Sequence, residues 1–209
     1  MKSKYYEVRA LKTVDALKKN GFNAIYASTT QEAVSIALNL VPKNATVGVG
    51  GSVTIRELGI VDTLESRGNV LFDHYKCKTD EEIEAARKGQ LTCDVFFASS
   101  NALTLDGKLV NIDGMGNRVA AMIYGPGHVI LIVGAQKISD NLDQAIARIK
   151  TKAAPLNTIR LNRKTPCSVT GVCHDCNSED RICNITTIIE KRPKNTPFTV
   201  IVAGEEIGY

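Results

Sequence analysis

Four of the protein's six cysteines fall in one short stretch, CSVTGVCHDCNSEDRIC, from Cys167 to Cys183. The spacing is Cys167-x5-Cys173-x2-Cys176-x6-Cys183. A central Cys-x2-Cys pair lets two thiolates reach one metal centre from a single tight turn, and Gly171 and Asn177 are residues that make such turns. Three readings compete. Free cysteine behaves as a small hydrophobe, which fits poorly among His174, Asp175, Ser178, Glu179, Asp180 and Arg181. A structural zinc site usually shows two close pairs, whereas only the central pair is close here. An iron-sulfur cluster accepts single cysteines from a wrapped loop and needs four thiolates in a partly shielded pocket, so the spacing favours a 4Fe-4S centre over zinc. His174 could replace one thiolate as a ligand, but a lone histidine beside two acids is more often a surface residue, and Cys77 and Cys93 read as ordinary buried or half-buried thiols.

Two glycine-rich segments form a second constellation. GVGGSVT, from Gly48 to Thr54, is expected between a strand and a helix, where backbone N–H groups can hold phosphate or carboxylate. It is neither GxGxxG nor a P-loop, since the third glycine and the lysine are missing. NIDGMGNRVAAM, from Asn111 to Met122, repeats the arrangement and adds Arg118, whose guanidinium suits a bidentate fork to an anion. The candidate ligand-binding residues are Gly48, Gly50, Gly51, Ser52, Asn101, Asn111, Gly114, Gly116, Asn117 and Arg118. Glu57 is the candidate acid/base group, against an alternative in which it completes a capping box with Thr54.

The elements that must position these residues follow from periodicity. Residues 4 to 19 have helical spacing, with Gly21 as the C-cap glycine. FNAIYAS reads as a strand, and Thr29 and Glu32 supply a capping box for QEAVSIALNLV, ended by Pro42. ATVGVG is a buried strand, TIRELGIVDTLESRG a helix, NVLFDHY a strand and DEEIEAARKGQL a helix capped by Thr79 and Glu82. CDVFFASSNALTL is expected as one strand, LDGK as a type I′ hairpin turn, VILIVGA as a strand, DNLDQAIARIKTKAA as a helix closed by Pro155, and PFTVIVAGEEIGY as the last strand. The alternation predicts one α/β domain over 1–209, an open, mostly parallel sheet with helices on both faces. An irregular excursion at about 156–195 carries the cysteines.

Composition narrows the function. At 209 residues and 44% hydrophobic content, the chain can bury about 70% of its unfolded surface, so it needs no disulfide to fold. Its +4 charge is interspersed and only 5% of residues are aromatic, which argues against nucleic acid as a partner. VAAMIYGPGHVILIVGAQ is interrupted by Gly125-Pro126-Gly127, so no membrane span is expected. The polar N-terminus lacks an export signal, pointing to a cytoplasmic protein.

With these motifs in hand, the chain resembles the lactate-utilisation (LUD) domain family. The resemblance is carried by GVGGSVTIRELGI, SSNALTLDGKLVNIDGMGNRVAAMIYGP, IKTKAAPLNTIRL and CSVTGVCHDCNSEDRICN. It implies a fold like that of sugar-phosphate isomerases, CoA transferases and methenyltetrahydrofolate synthetases. It also implies a role linked to oxidation of lactate to pyruvate, with Cys167, Cys173, Cys176 and Cys183 as one set of metal ligands. On this reading the protein is a redox accessory, partnered by other lactate-oxidation subunits or another redox protein. The alternative is an enzyme or sensor that binds a small anionic metabolite (a sugar phosphate, CoA ester or carboxylate), with the cysteine loop as a structural metal site.

Overall fold

The computed structural model describes residues 1–209. Its main sheet has six strands, all parallel: β1 (Asn23–Ala27), β2 (Thr46–Val49), β3 (Val70–Phe72), β4 (Val95–Ala98), β7 (His128–Gly134) and β10 (Phe198–Ala203), in the order β1-β10-β7-β4-β2-β3. A parallel sheet covered on both faces should read as continuous apolar runs, and β7 and β10 do. Alternate side chains of β7 enter opposite cores. Val129, Leu131 and Val133 face one side with Ala10, Val14 and Leu17 of α1 (Lys2–Lys19), while Ile130 and Ile132 face the other with Ala33 and Ala37 of α2 (Thr30–Asn39). That is the period-2 rule of a pleated strand read twice. Helices therefore lie on both faces of the sheet, as expected.

Several sequence expectations hold at the level of single hydrogen bonds. The N-terminus of α5 (Asp80–Gln90) has the complete capping box, with Thr79 accepting from the Glu82 N–H and the Glu82 carboxylate accepting from the Thr79 N–H. At α2, Thr29 accepts from the Glu32 N–H, but the Glu32 carboxylate reaches one residue further back, to the N–H of Ser28. Gly21 has φ +86, the left-handed conformation that closes α1.

Other expectations are corrected. TIRELGIVDTLESRG is two short helices, α3 (Val53–Glu57) and α4 (Ile60–Ser66), broken where Gly59 turns left-handed at φ +66. The α3 cap is Ser52, which accepts from the Ile55 N–H, so no Thr54–Glu57 capping box forms. CDVFFASSNALTL is not one strand. It leaves the main sheet at the end of β4, crosses through Ser99, Ser100 and Asn101, and enters a second sheet as β5 (Ala102–Thr104).

That second sheet has the order β8-β5-β6-β9, with β6 at Leu109–Asp113, β8 at Ile138–Ser139 and β9 at Ile185–Ile189. β5 and β6 form the expected hairpin, but only Gly107 of Asp106-Gly107 has positive φ, at +81. A type I′ turn needs both residues left-handed, so the turn is of another kind. β9 lies inside the cysteine-bearing excursion and pairs antiparallel with β6, from Asp113↔Ile185 to Leu109↔Ile189, which ties the irregular segment to the framework.

Pro155 does not end the helix before it. α7 (Leu142–Arg148) widens into a π-helical turn at Ile149–Ala153, and α8 (Ala154–Arg160) resumes with Pro155 in its first turn, where its missing N–H costs no bond. Ala145, Ile149 and Ala153 of this ribbon pack on Ala102, Val110 and Ile112 of the second sheet. The remaining helices are α6 (Asn117–Ile123) and α9 (Pro166–Thr170). No helix is long and apolar enough to cross a membrane.

Candidate functional site: a cationic cavity beside a four-cysteine pocket

Because all six strands of the main sheet run parallel, the turns that follow them gather along one edge, the usual place for ligands in an open α/β sheet. Five of those turns contribute to one cavity of about 600 Å³. Gly51, Ser52 and Thr54 follow β2, His74 and Tyr75 follow β3, Ser99, Ser100 and Asn101 follow β4, Lys137 follows β7 and Tyr209 follows β10. Asp113, Gly114, Asn117 and Arg118, from the turn after β6, close another wall. The two glycine-rich segments thus meet across one space, together with the Ser99–Asn101 crossing.

Of the residues expected to bind a ligand, Gly51, Ser52, Asn101, Gly114, Asn117 and Arg118 line the cavity, and Gly48, Gly50, Asn111 and Gly116 do not. Gly48 is a packing glycine, since a Cβ there would stand 2.8 Å from Cys93 Sγ and 3.0 Å from Gln90 Cα. Gly51 makes room for Tyr75, whose hydroxyl would lie 3.0 Å from an added Cβ. Asn111 is fully buried and lends its Oδ1 to the Asn101 N–H and to Arg118. Glu57 is exposed and outside the cavity, where its carboxylate accepts from the Gly208 N–H at 3.0 Å. Helices α3 and α6, of five and seven residues, are too short to offer much dipole to an anion.

Arg118 is committed to the framework. Nε and Nη2 both donate to Asp113 Oδ1, Nη1 donates to Ser99 O and Asn111 Oδ1 at 2.9 Å each, and Nη2 also reaches Asn101 Oδ1 at 2.8 Å. Any anion it touched would have to displace one of these acceptors.

The residues that sequence reading missed are the more telling ones. Lys137 ends a 3-10 turn, Ala135–Lys137, and is 3% exposed. Its Nζ donates to Thr54 Oγ1 at 2.9 Å and sits 3.3 Å from Ser99 Oγ, and it forms no ion pair with a carboxylate. Burial, with the charges of Arg148 and Arg118 nearby, brings its pKa down from 10.5 to about 7. His74 is half buried and its pKa is lowered, chiefly by burial, and its Nδ1 lies 3.0 Å from the Gln90 amide nitrogen. Tyr75 lies between two guanidiniums, with Arg56 4.3 Å and Arg160 5.6 Å from its ring centre. Arg160 donates to the Tyr75 hydroxyl at 3.1 Å, to the Tyr209 hydroxyl at 3.0 Å and to Asn157 Oδ1. In all, five arginines and Lys137 line the cavity against three acids, Asp113, Glu179 and Asp180, of which Asp113 is paired with Arg118 and Asp180 with Arg163.

The cysteine segment forms the neighbouring structure. Cys167, Cys173, Cys176 and Cys183 all line one small, largely apolar pocket with Ile112, Ala154, Pro155 and Ile182. Left-handed Gly171 and Asp175 turn the chain between them. Arg181 clamps the loop: Nε donates to Cys183 O at 3.1 Å, Nη1 to Cys176 O, and Nη2 to Asp175 Oδ1 at 2.9 Å. Cys167 Sγ lies 3.3 Å from Thr165 Oγ1 and 3.5 Å from Thr158 Oγ1. His174 is taken by Thr170, whose hydroxyl is 2.9 Å from Nε2. Cys77 and Cys93 lie outside this pocket; Cys93 is buried, which pushes its thiol up to about 11. The space among the four thiols is about 20 Å³, and no three His, Cys, Asp or Glu side chains stand close enough together to ligate a single metal ion. Ile112, Ala154, Arg181, Ile182 and Cys183 belong to both pockets and form the wall between them.

The LUD domain family model matches residues 10–203 of the chain. A DUF162 family protein from Deinococcus radiodurans has the same fold, with a TM-score of 0.56 at 12% identity over 95% of this chain and 98% of that one. Ribose 5-phosphate isomerase A from Neisseria gonorrhoeae aligns over 55% of this chain and 56% of its own, at 15% identity and a TM-score of 0.34. No curated protein matches the chain in sequence.

Proposed function

The chain belongs to the LUD domain family, and from that premise we propose that it is a redox accessory of lactate utilisation, with one iron-sulfur centre held beside a cavity for a small anionic metabolite. The observation that carries this reading is the shared wall: Cys183 lines both the four-cysteine pocket and the cation-lined cavity.

The donor set fits the group. Four cysteines line one apolar pocket, the histidine there is engaged by Thr170, and the Arg181 clamp fixes the loop through the carbonyls of Cys176 and Cys183 rather than through their thiols. Four cysteine thiolates are the donor set of an iron-sulfur centre, whereas a structural zinc ion is more often held by two closely spaced pairs, and only Cys173 and Cys176 are close in sequence here. A cluster bound by Cys167, Cys173, Cys176 and Cys183 supplies one-electron transfer.

The rest is the work of the chain's own side chains. Arg160, held only by the neutral groups of Tyr75, Tyr209 and Asn157, attracts a carboxylate or phosphate, while Arg163 on the same wall is paired with Asp180. Asn101 and Asn117 offer neutral polar groups to orient it. Ile112 and Ile182 separate the metabolite from the thiols and keep water from the wall between them. The electron donor or acceptor is then a further protein of the same process.

Anaerobic reconstitution with iron and sulfide tests the reading. The native chain should turn brown, with broad visible absorbance, and Cys176→Ser should lose it. A native chain that stays colourless under these conditions contradicts the proposal.

A further inference from the structure

A buried lysine without a carboxylate partner is rarely retained for stability, because desolvation disfavours its charge and nothing nearby restores it. Lys137 is such a residue, and it sits at the centre of the edge where five parallel strands end. Its Nζ is held at the cavity wall by two hydroxyls, Thr54 Oγ1 and Ser99 Oγ, neither of which carries charge. The titratable and charged groups around it are Arg148 from α7, Arg118 from α6, Lys152 from the π-helical turn and Glu57 from α3. Three of the four are cations, and the one acid is exposed and bound to the Gly208 N–H.

We propose that Lys137 is a carbonyl-reactive amine, whose Nζ condenses with the aldehyde or ketone carbon of a small anionic substrate in the cavity to form an imine. The geometry supplies what the reaction needs: an amine held by neutral partners, a cavity of about 600 Å³ open to it, and cations to hold the substrate's acid group. The bookkeeping closes without a co-reactant. The Nζ lone pair forms the C–N bond, the carbonyl C–O bond breaks, and the oxygen leaves as water with the two amine hydrogens. The Thr54 and Ser99 hydroxyls, already in contact with Nζ, are placed to pass those protons. An amine whose pKa is about 7 is largely neutral just above neutrality, whereas an exposed lysine near 10.5 is almost wholly protonated there. The 2-oxo acids combine a carbonyl with an adjacent carboxylate and so match both halves of the site.

The proposal rests on the cavity being the metabolite site and is independent of what the cysteines hold. Its test is trapping of the native chain with pyruvate and cyanoborohydride, read by peptide mass spectrometry, with lactate, which has no ketone or aldehyde, as control. The expected result is one reductively coupled pyruvate on the peptide carrying Lys137, none with lactate, and labelling that levels off just above pH 7. Adducts spread over surface lysines, or labelling that climbs steadily toward about pH 10, overturn it. A parallel thermal-shift measurement separates the two readings. If pyruvate stabilises the chain but Lys137 stays unmodified, the imine is wrong and the cavity stands; if neither occurs, both fall. Lys137→Arg should abolish the adduct, and because the site of modification is read in the native chain, the outcome does not depend on how well that variant folds.

Discussion

Replacing Lys137 with methionine should make the chain's stability less dependent on pH, and the size of the effect follows from the burial of one amine. In the folded chain burial, aided by Arg148 and Arg118, lowers this pKa to about 7, against 10.5 for the ordinary group. A folded pKa below the unfolded one means that between those values the unfolded chain holds more protons, so native stability rises with pH across that window. At about 1.36 kcal/mol per unit, the buried amine costs roughly 4 kcal/mol at pH 7 and roughly 2 kcal/mol at pH 9 relative to its fully neutral form. Below about pH 6 both states are protonated and the cost stops growing. Methionine has a similar length and no charge. It forfeits the contacts with Thr54 and Ser99, an offset of about 1 to 3 kcal/mol that does not vary with pH. Urea unfolding of both proteins from about pH 6 to pH 9 isolates the effect, because every other titrating group is common to the two. The native chain should gain about 2 kcal/mol relative to Lys137→Met between pH 7 and pH 9. Parallel stability curves would refute the reasoning and mean that Lys137 stays charged in its site.

Two further substitutions probe the framework. Arg181→Ala removes the three side-chain bonds that join Cys176, Cys183 and Asp175, so the 167–183 loop should become the first site of limited proteolysis while the core melts nearly as before. Gly48→Ala forces a methyl group to within 2.8 Å of Cys93 Sγ and 3.0 Å of Gln90 Cα, and should lower stability by about 1 to 3 kcal/mol in denaturant unfolding.

The elements that the sequence displayed best were those with strong local chemistry. The apolar runs of β7 and β10 and the Thr79–Glu82 cap each specify their structure within a few residues, and they appear as expected. What was hidden depended on distant packing. Nothing local distinguishes CDVFFASSNALTL as two strands, because Ser99-Ser100-Asn101 is short and the apolar pattern resumes at once; the crossing is held by distant groups, with Arg118 donating to Ser99 O and Asn101 Oδ1 and the Ile112 N–H donating to Asn101 Oδ1. Pro155 reads as a stop signal until a π-helical turn widens the helix ahead of it. The cavity was half legible: the glycine segments marked two of its walls, yet the roles of Gly48 and Asn111 proved internal. Lys137 escaped because a lone lysine after an apolar strand matches no motif. Its only trace in the sequence is that VILIVGAQK ends on a charge at the point where a buried parallel strand reaches the ligand edge.

The central claim, four cysteines holding one polynuclear centre, is tested most directly by quantifying iron, acid-labile sulfide and zinc in chain purified and reconstituted without oxygen. The account predicts roughly four irons and four sulfides per chain, no stoichiometric zinc, and loss of both iron and sulfide in Cys176→Ser. One zinc per chain, or iron retained in full by Cys176→Ser, would contradict it.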